Sequence, residues 1–172
     1  MVLLQTIKIT CIGDSGVGKT QLIDRYFKKY YTVTNKTILI QLSTTMLKLN
    51  NGVLDTKCQV LDNPGNQNTM SSLKTHWQNA EGAMIVYDVA NRKSFESVKK
   101  WVECFRSAQD SNKTYVLLVV GNKADLENRM VSEAEGQALA KNCGCMFVET
   151  SALADINVEE SFTSIFTKCH SL

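Results

Sequence analysis

The stretch Gly13-Asp14-Ser15-Gly16-Val17-Gly18-Lys19-Thr20 constrains this chain more than any other. It fits G-x-x-x-x-G-K-[ST], follows an apolar run at residues 7–12 and leads into a helical pattern carrying Leu22, Ile23, Tyr26 and Phe27. A strand, a glycine-rich loop and a helix in that order form a phosphate-binding unit. The glycines let the loop curl so that successive N–H groups and the positive end of the helix face bound phosphates. Lys19 then reaches the β- and γ-phosphate oxygens, and the Thr20 hydroxyl ligates Mg²⁺. The motif specifies a nucleotide, without saying which base or what becomes of it.

The rest of the chain supplies the frame. At 172 residues the chain suits a single domain spanning 1–172, large enough to bury a core without staples. A net charge of +2 gives no electrostatic case for nucleic acid as partner. The six cysteines include no C-x-x-C pair and read as free thiols of a reducing compartment. No signal peptide opens the chain, and the apolar run at 115–120 is too short to cross a membrane. The expected location is cytoplasmic.

Hydrophobic periodicity places strands at 3–12, 38–49, 54–61, 82–88, 115–120 and 145–149. Helices are expected after Thr20 to about residue 28, at 70–79, at 94–109, from the Ser132/Glu135 capping box, and at 159–168. Asn50-Asn51-Gly52 reads as a hairpin turn joining the second and third strands. After that hairpin, strand alternates with helix to the end. The fold class is therefore α/β: a six-stranded, mostly parallel sheet with one antiparallel strand and helices on both faces. Ligands of such sheets lie at the carboxyl ends of strands. Four polar signals fall there, after residues 12, 61, 120 and 149.

Those signals are Gly13–Thr20, D-x-x-G at Asp62 to Gly65, N-K-x-D at Asn122 to Asp125, and T-S-A at Thr150 to Ala152. In this order they resemble the Ras superfamily of small GTPases, over essentially the whole chain. Gly13–Thr20, Ala80-Glu81-Gly82-Ala83 with Tyr87-Asp88, and Glu149-Thr150-Ser151-Ala152 are most similar to its Rab branch. The resemblance implies a P-loop NTPase G domain that binds GTP or GDP with Mg²⁺. It implies phosphate contacts from Asp14, Ser15, Gly16, Val17, Gly18, Lys19 and Thr20, and a γ-phosphate contact from the Gly65 N–H. Asn122 would tie the base loop to the phosphate loop, and the Lys123 stem would cover the base. The Asp125 carboxylate can accept from both N–H groups on the guanine edge, whereas adenine offers neither donor there. Ser151 and Ala152 complete the base site, with the Ala152 N–H donating to the guanine oxygen.

Two regions depart from the family. In the loop before residue 38, Tyr30 and Thr37 reproduce the family spacing between a base-stacking aromatic and a Mg²⁺ ligand, giving a metal set of Thr20, Thr37 and Asp62. Tyr31-Thr32-Val33-Thr34 offers a second match, which makes Thr34 a competing ligand. The Gly and acidic residue that usually follow are replaced by Leu39-Ile40-Gln41. In the second region, Asp62-Asn63-Pro64-Gly65-Asn66-Gln67 stands where the family has Asp-Thr-Ala-Gly-Gln-Glu. Asn66 takes the place of the water-orienting Gln with one methylene fewer, and Pro64 stiffens the pivot. The catalytic set is then Lys19, Gly65 and a weak Asn66, with Gln67 adjacent. No Arg lies between Tyr26 and Ile40 to act in cis.

The resemblance thus implies a Rab-like switch in membrane or intracellular transport with slow GTP hydrolysis, served by effectors, an exchange factor and a GTPase-activating protein. The alternative is a pseudo-GTPase scaffold that holds guanine nucleotide without useful turnover. Cys169-His170-Ser171-Leu172 formally fits C-a-a-X, but with poor middle residues and no spacer. No lipid is expected there. The protein would work as a monomer or as a subunit of a transport complex, with attachment to the cytosolic face of membranes open.

Overall fold

Strand β1 (Thr6–Ile12) lies inside the sheet between β3 (Leu54–Asp62) and β4 (Gly82–Asp88), with Ile7, Ile9 and Cys11 buried towards one face and Thr10 and Ile12 towards the other. The computed structural model describes residues 5–31, 33, 37–49 and 54–172. The expected strand residues 3–4, the turn at 50–52 and Thr34 lie outside them. Six strands form one sheet in the order β2-β3-β1-β4-β5-β6. Besides β1 these are β2 (Gln41–Leu49), β3 (Leu54–Asp62), β4 (Gly82–Asp88), β5 (Val116–Asn122) and β6 (Met146–Glu149). Only the β2–β3 pair is antiparallel; the other four pairings are parallel.

The second strand begins at Gln41 rather than at residue 38. Its ladder with β3 ends at the pair Gln41–Asp62, and β3 runs out before Pro64, which has no N–H to offer. Residues 38–40 therefore have no strand to pair with. Along β3, Thr56, Cys58 and Val60 are buried while Asp55 and Lys57 are exposed, the alternation expected of a strand with one face covered.

Helices α1 (Lys19–Lys28) and α6 (Val158–His170) cover one face of the sheet. There Tyr26 stacks on Phe162 with ring centroids 4.3 Å apart, above Ile7, Ile9, Val60 and Leu118. Burying each such side chain stabilises the fold by about 1.5–3 kcal/mol. The opposite face carries α2 (Met70–Trp77), α3 (Arg92–Glu96), α4 (Val98–Arg106) and α5 (Glu133–Asn142) over Ile12, Ile85, Tyr87 and Val119. A one-turn 3₁₀ helix at Gln67–Thr69 precedes α2.

The helix expected at 94–109 is thus two elements. It begins earlier because Asn91 caps it, accepting the Ser94 N–H at 3.2 Å. It is interrupted at Ser97, whose hydroxyl donates to Lys93 O (3.0 Å) and competes for a helical carbonyl, although the Ser97 backbone stays helical. The expected stripe holds: Val98, Val102 and Phe105 are buried and Phe95 is partly so. The Ser132/Glu135 capping box is present in both directions.

Candidate functional site

All four polar signals emerge along one edge of the sheet, at the carboxyl ends of β1, β3, β5 and β6. The loop after β1 enters α1 through Gly18, whose φ of +97° is left-handed. A Cβ at Gly18 would also stand 2.3 Å from Asn122 Nδ2, so only glycine fits. No side chain caps α1, and its first turn carries no acidic residue. Its leading N–H groups and positive dipole end are thereby left to an anion. Lys19 is buried, with Nζ donating to Gly13 O and Asp14 O at 2.9 Å each. Burial lowers its pKa from the usual lysine value, against the pull of Asp62 and Asp14. An ammonium held in this way is a preformed partner for phosphate oxygens.

Beside Lys19 three oxygens converge. Thr20 Oγ1 donates to Asp62 Oδ2 at 2.5 Å and lies 2.7 Å from Thr37 Oγ1. With the Thr20 proton committed to the carboxylate, Thr37 is the donor in the second bond. The other carboxylate oxygen, Asp62 Oδ1, is buried and finds no partner among the described residues. Burial pushes the Asp62 carboxyl above its usual range, outweighing the Thr20 hydroxyl and the Lys19 charge. Two hydroxyls and an under-satisfied buried carboxylate are the donor set a hard divalent cation such as Mg²⁺ takes. The residues present therefore fit that ion, and Thr37 lies within hydrogen-bond distance of Thr20 beside them.

The catalytic candidates divide. Gly65 packs its backbone against the phosphate loop so closely that a Cβ there would stand 2.4 Å from Ser15 N and 2.6 Å from Asp14 O. Asn66 is exposed and lines a groove with Thr37, Ile38, Pro64 and Leu73; its Oδ1 accepts the Asn68 N–H at 3.0 Å. Gln67 turns elsewhere. Its Nε2 donates to Asp14 Oδ1 (2.8 Å) and Ser97 Oγ (2.9 Å), and its Oε1 accepts from Lys100 Nζ (2.9 Å). The Gln67 amide is thus taken up by the protein.

At the other end of the edge lies a cleft walled by Gly16, Gly18, Gln21, Tyr31, Asn122, Lys123, Asp125, Leu126, Ala152 and Leu153. Asn122 is buried, and its Nδ2 donates to Val17 O at 2.9 Å, tying the two loops together. Its Oδ1 accepts from Thr150 Oγ1 at 3.2 Å. Lys123, at φ +65°, reaches back to Gly16 O (2.9 Å) and Asp88 Oδ2 (2.7 Å), which lays its stem along the cleft. Ser151 Oγ donates to Asp125 Oδ1 at 2.5 Å and so orients that carboxylate. The Ala152 N–H faces Asn122 Oδ1 at 3.4 Å, a long contact.

Tyr31, not Tyr30, stands on the cleft wall; Tyr30 is 55% exposed. Counting back seven residues from Thr37 selects Tyr30, but α1 closes at Lys29 in a left-handed turn that brings the second tyrosine round to the cleft. Leu126 and Leu153 also line the cleft, and neither belongs to a short motif. Arg25 supports the T-S-A loop from beneath, donating to Ala152 O (2.8 Å) and Leu153 O (2.9 Å). Cys169 is buried on α6 with its sulfur against Glu81 O (3.4 Å), and burial pushes its thiol up to about 12. Among the described residues no helix is long and apolar enough to cross a membrane.

Residues 8–171 match the model of the Ras family. The chain is similar to Ras-related protein Rab-11B of Dictyostelium discoideum, with 41% identity over 92% of this chain and 71% of that protein. It is also similar to Ras-related protein RGP2 of Oryza sativa subsp. japonica (37% identity, 96% and 75%) and to Ras-related protein Rab2BV of Beta vulgaris (36%, 96% and 76%).

Proposed function

The chain belongs to the Ras family as a Rab-like small GTPase, and from that premise we propose that it binds GTP and GDP with Mg²⁺, hydrolyses GTP slowly, and acts as a conformational switch in intracellular transport. The observation that carries this reading is the convergence of Thr20, Thr37 and Asp62 beside Lys19, with one carboxylate oxygen buried and unsatisfied. The guanine base would lie between Tyr31, Lys123 and Leu153, with its N–H edge on Asp125. The phosphates would follow the Gly13–Thr20 backbone to Lys19.

The ion, held by Thr20 and Thr37 with Asp62 behind them, would neutralise phosphate charge. Hydrolysis needs a water in line with the γ-phosphate. Lys19 and the Gly65 N–H would stabilise developing charge on the transferred group, and Asn66 would orient the water through an amide one methylene short. An activating partner would supply the missing Arg in trans. Effectors would meet the exposed segment at 38–42 (Ile38 is 81% exposed), which distinguishes the two nucleotide states through Thr37. The burial of Cys169 argues against a lipid on that residue, since its modification would require the last turn of α6 to open.

The reading is tested by single-turnover hydrolysis of bound GTP. Unassisted small GTPases run at about 10⁻⁴ s⁻¹, and this chain is expected at or below that order. A second reading, a scaffold that holds nucleotide without turning it over, draws on the engagement of Asn66 with Asn68 and of Gln67 with Asp14. Bound GTP that remains intact over days would favour it.

A further inference from the structure

The base end of the site hangs on a residue that belongs to no nucleotide motif. Arg25 lies in the last turn of α1, the helix that begins with Lys19 and Thr20, and its guanidinium reaches the T-S-A loop, 127 positions further along the chain. Nε donates to Ala152 O at 2.8 Å and Nη2 to Leu153 O at 2.9 Å. One planar fork thus fixes two consecutive carbonyls, a grip that a single ammonium does not reproduce. On the other side, Ser151 is held by paired backbone bonds with Ile156, each 3.0 Å, and its hydroxyl donates to Asp125. The peptide joining Ser151 to Ala152 is therefore gripped from both sides.

That peptide carries the Ala152 N–H, the donor expected for the guanine oxygen. Its only contact among the described residues is the long one to Asn122 Oδ1, at 3.4 Å, which leaves the donor weakly engaged. Beyond Ala152 the loop has little packing of its own. Residues 153–157 are all exposed, and Asp155 and Asn157 take left-handed backbone conformations. Arg25 is what fixes this stretch to the body of the domain. A donor already set in its bound direction avoids the cost of ordering the loop when the ligand arrives.

Resting on the proposed guanine nucleotide binding, we propose that Arg25 is a positioning residue for the base: its fork sets the Ala152 N–H against the 6-oxygen of guanine. The Asp125 carboxylate, oriented by Ser151, is set independently of it. An arginine near the C-terminal end of a helix also suits the helix dipole whatever is bound, so the readout must be specific to one edge of the base.

The test is the Mg²⁺-dependent affinity of the full chain for GDP, 6-thio-GDP and inosine diphosphate. The thio analogue puts a weakly accepting sulfur in place of the 6-oxygen and keeps both N–H groups. Inosine diphosphate keeps the oxygen and the ring N–H but lacks the amino group that faces Asp125. The wild type should prefer GDP to both. In Arg25→Met, which keeps the stem and removes the donors, GDP affinity should fall about tenfold, the order of one hydrogen bond. The preference over 6-thio-GDP should shrink by the same factor, while the preference over inosine diphosphate stays as in the wild type. Arg25→Lys, with an ammonium for a fork, should show the same pattern in smaller measure. Equal weakening of all three nucleotides, or loss of both preferences together, would mark a general loosening and overturn the proposal. Wild-type behaviour in Arg25→Met overturns it too, as does a wild type that binds GDP and 6-thio-GDP equally. A wild type that takes up no guanine nucleotide contradicts the proposed function itself, and this inference with it.

Discussion

At Asn66 a single methylene decides how fast the bound nucleotide is expected to turn over. The amide is present, but its reach is short, and its oxygen is drawn to the Asn68 N–H. Asn66→Gln should accelerate single-turnover hydrolysis several-fold with little change in GTP affinity, because the contact matters mainly in the transition state. A variant no faster than the wild type would place the limitation at Pro64 or at the absent arginine. Asp62 makes a second prediction. In nucleotide-free protein its carboxyl is held above its usual range by burial, so the folded state binds the proton more tightly than the unfolded chain does. The charged carboxylate therefore costs stability above the raised value, and that cost fades as pH falls towards the ordinary value of about 4. Asp62→Asn should raise the nucleotide-free melting temperature by a few degrees at neutral pH, lose that advantage in acid, and abolish stabilisation by Mg²⁺ with nucleotide. Equal melting temperatures at pH 7 would contradict the assignment.

Among the elements, α2 buries Leu73 and Trp77 in the core, and Trp77 Nε1 there also donates to Asn63 Oδ1. Trp77→Phe keeps an aromatic ring but leaves a buried amide oxygen without its donor. A loss of about 1–3 kcal/mol is expected, and each kcal/mol lowers the melting temperature by about 2–4 °C in a domain of this size. Denaturant titration and thermal melts should agree; a loss below about 0.5 kcal/mol would show that the bond is dispensable. Bonds of this kind explain what the sequence concealed. The phosphate and base loops were legible because each is a contiguous motif following a strand. Asn63 with Trp77, and Asp14 with Trp101 and Gln67, join residues 14 to 87 positions apart that no local pattern connects. Of the two tyrosines the sequence offers, Tyr31 faces the cleft, set by the turn after α1 and not by the spacing from Thr37. Strand ends shifted by a few residues wherever the neighbouring strand, rather than composition, set the limit, as at Gln41 and Asn122.

Across the whole molecule, the parallel order of β3, β1, β4, β5 and β6 gathers four loops on one edge, phosphate end at β1 and β3, base end at β5 and β6. The Asn122–Val17 bond joins the two halves into one elongated site. The ionic features of that site are at odds with an empty state: a buried ammonium, an unsatisfied buried carboxylate and an uncapped helix start. Ligand that binds only the folded state adds about 4 kcal/mol when present at a thousand times its dissociation constant. A guanine nucleotide with Mg²⁺ should therefore be retained through purification. The most direct measurement is the nucleotide released on denaturing the purified protein, identified and counted against protein. Close to one guanine nucleotide per chain is expected, falling sharply in Asp125→Asn unless xanthine nucleotide is supplied. An empty wild-type protein that GTP and Mg²⁺ fail to stabilise, or one carrying adenine nucleotide, would contradict the account.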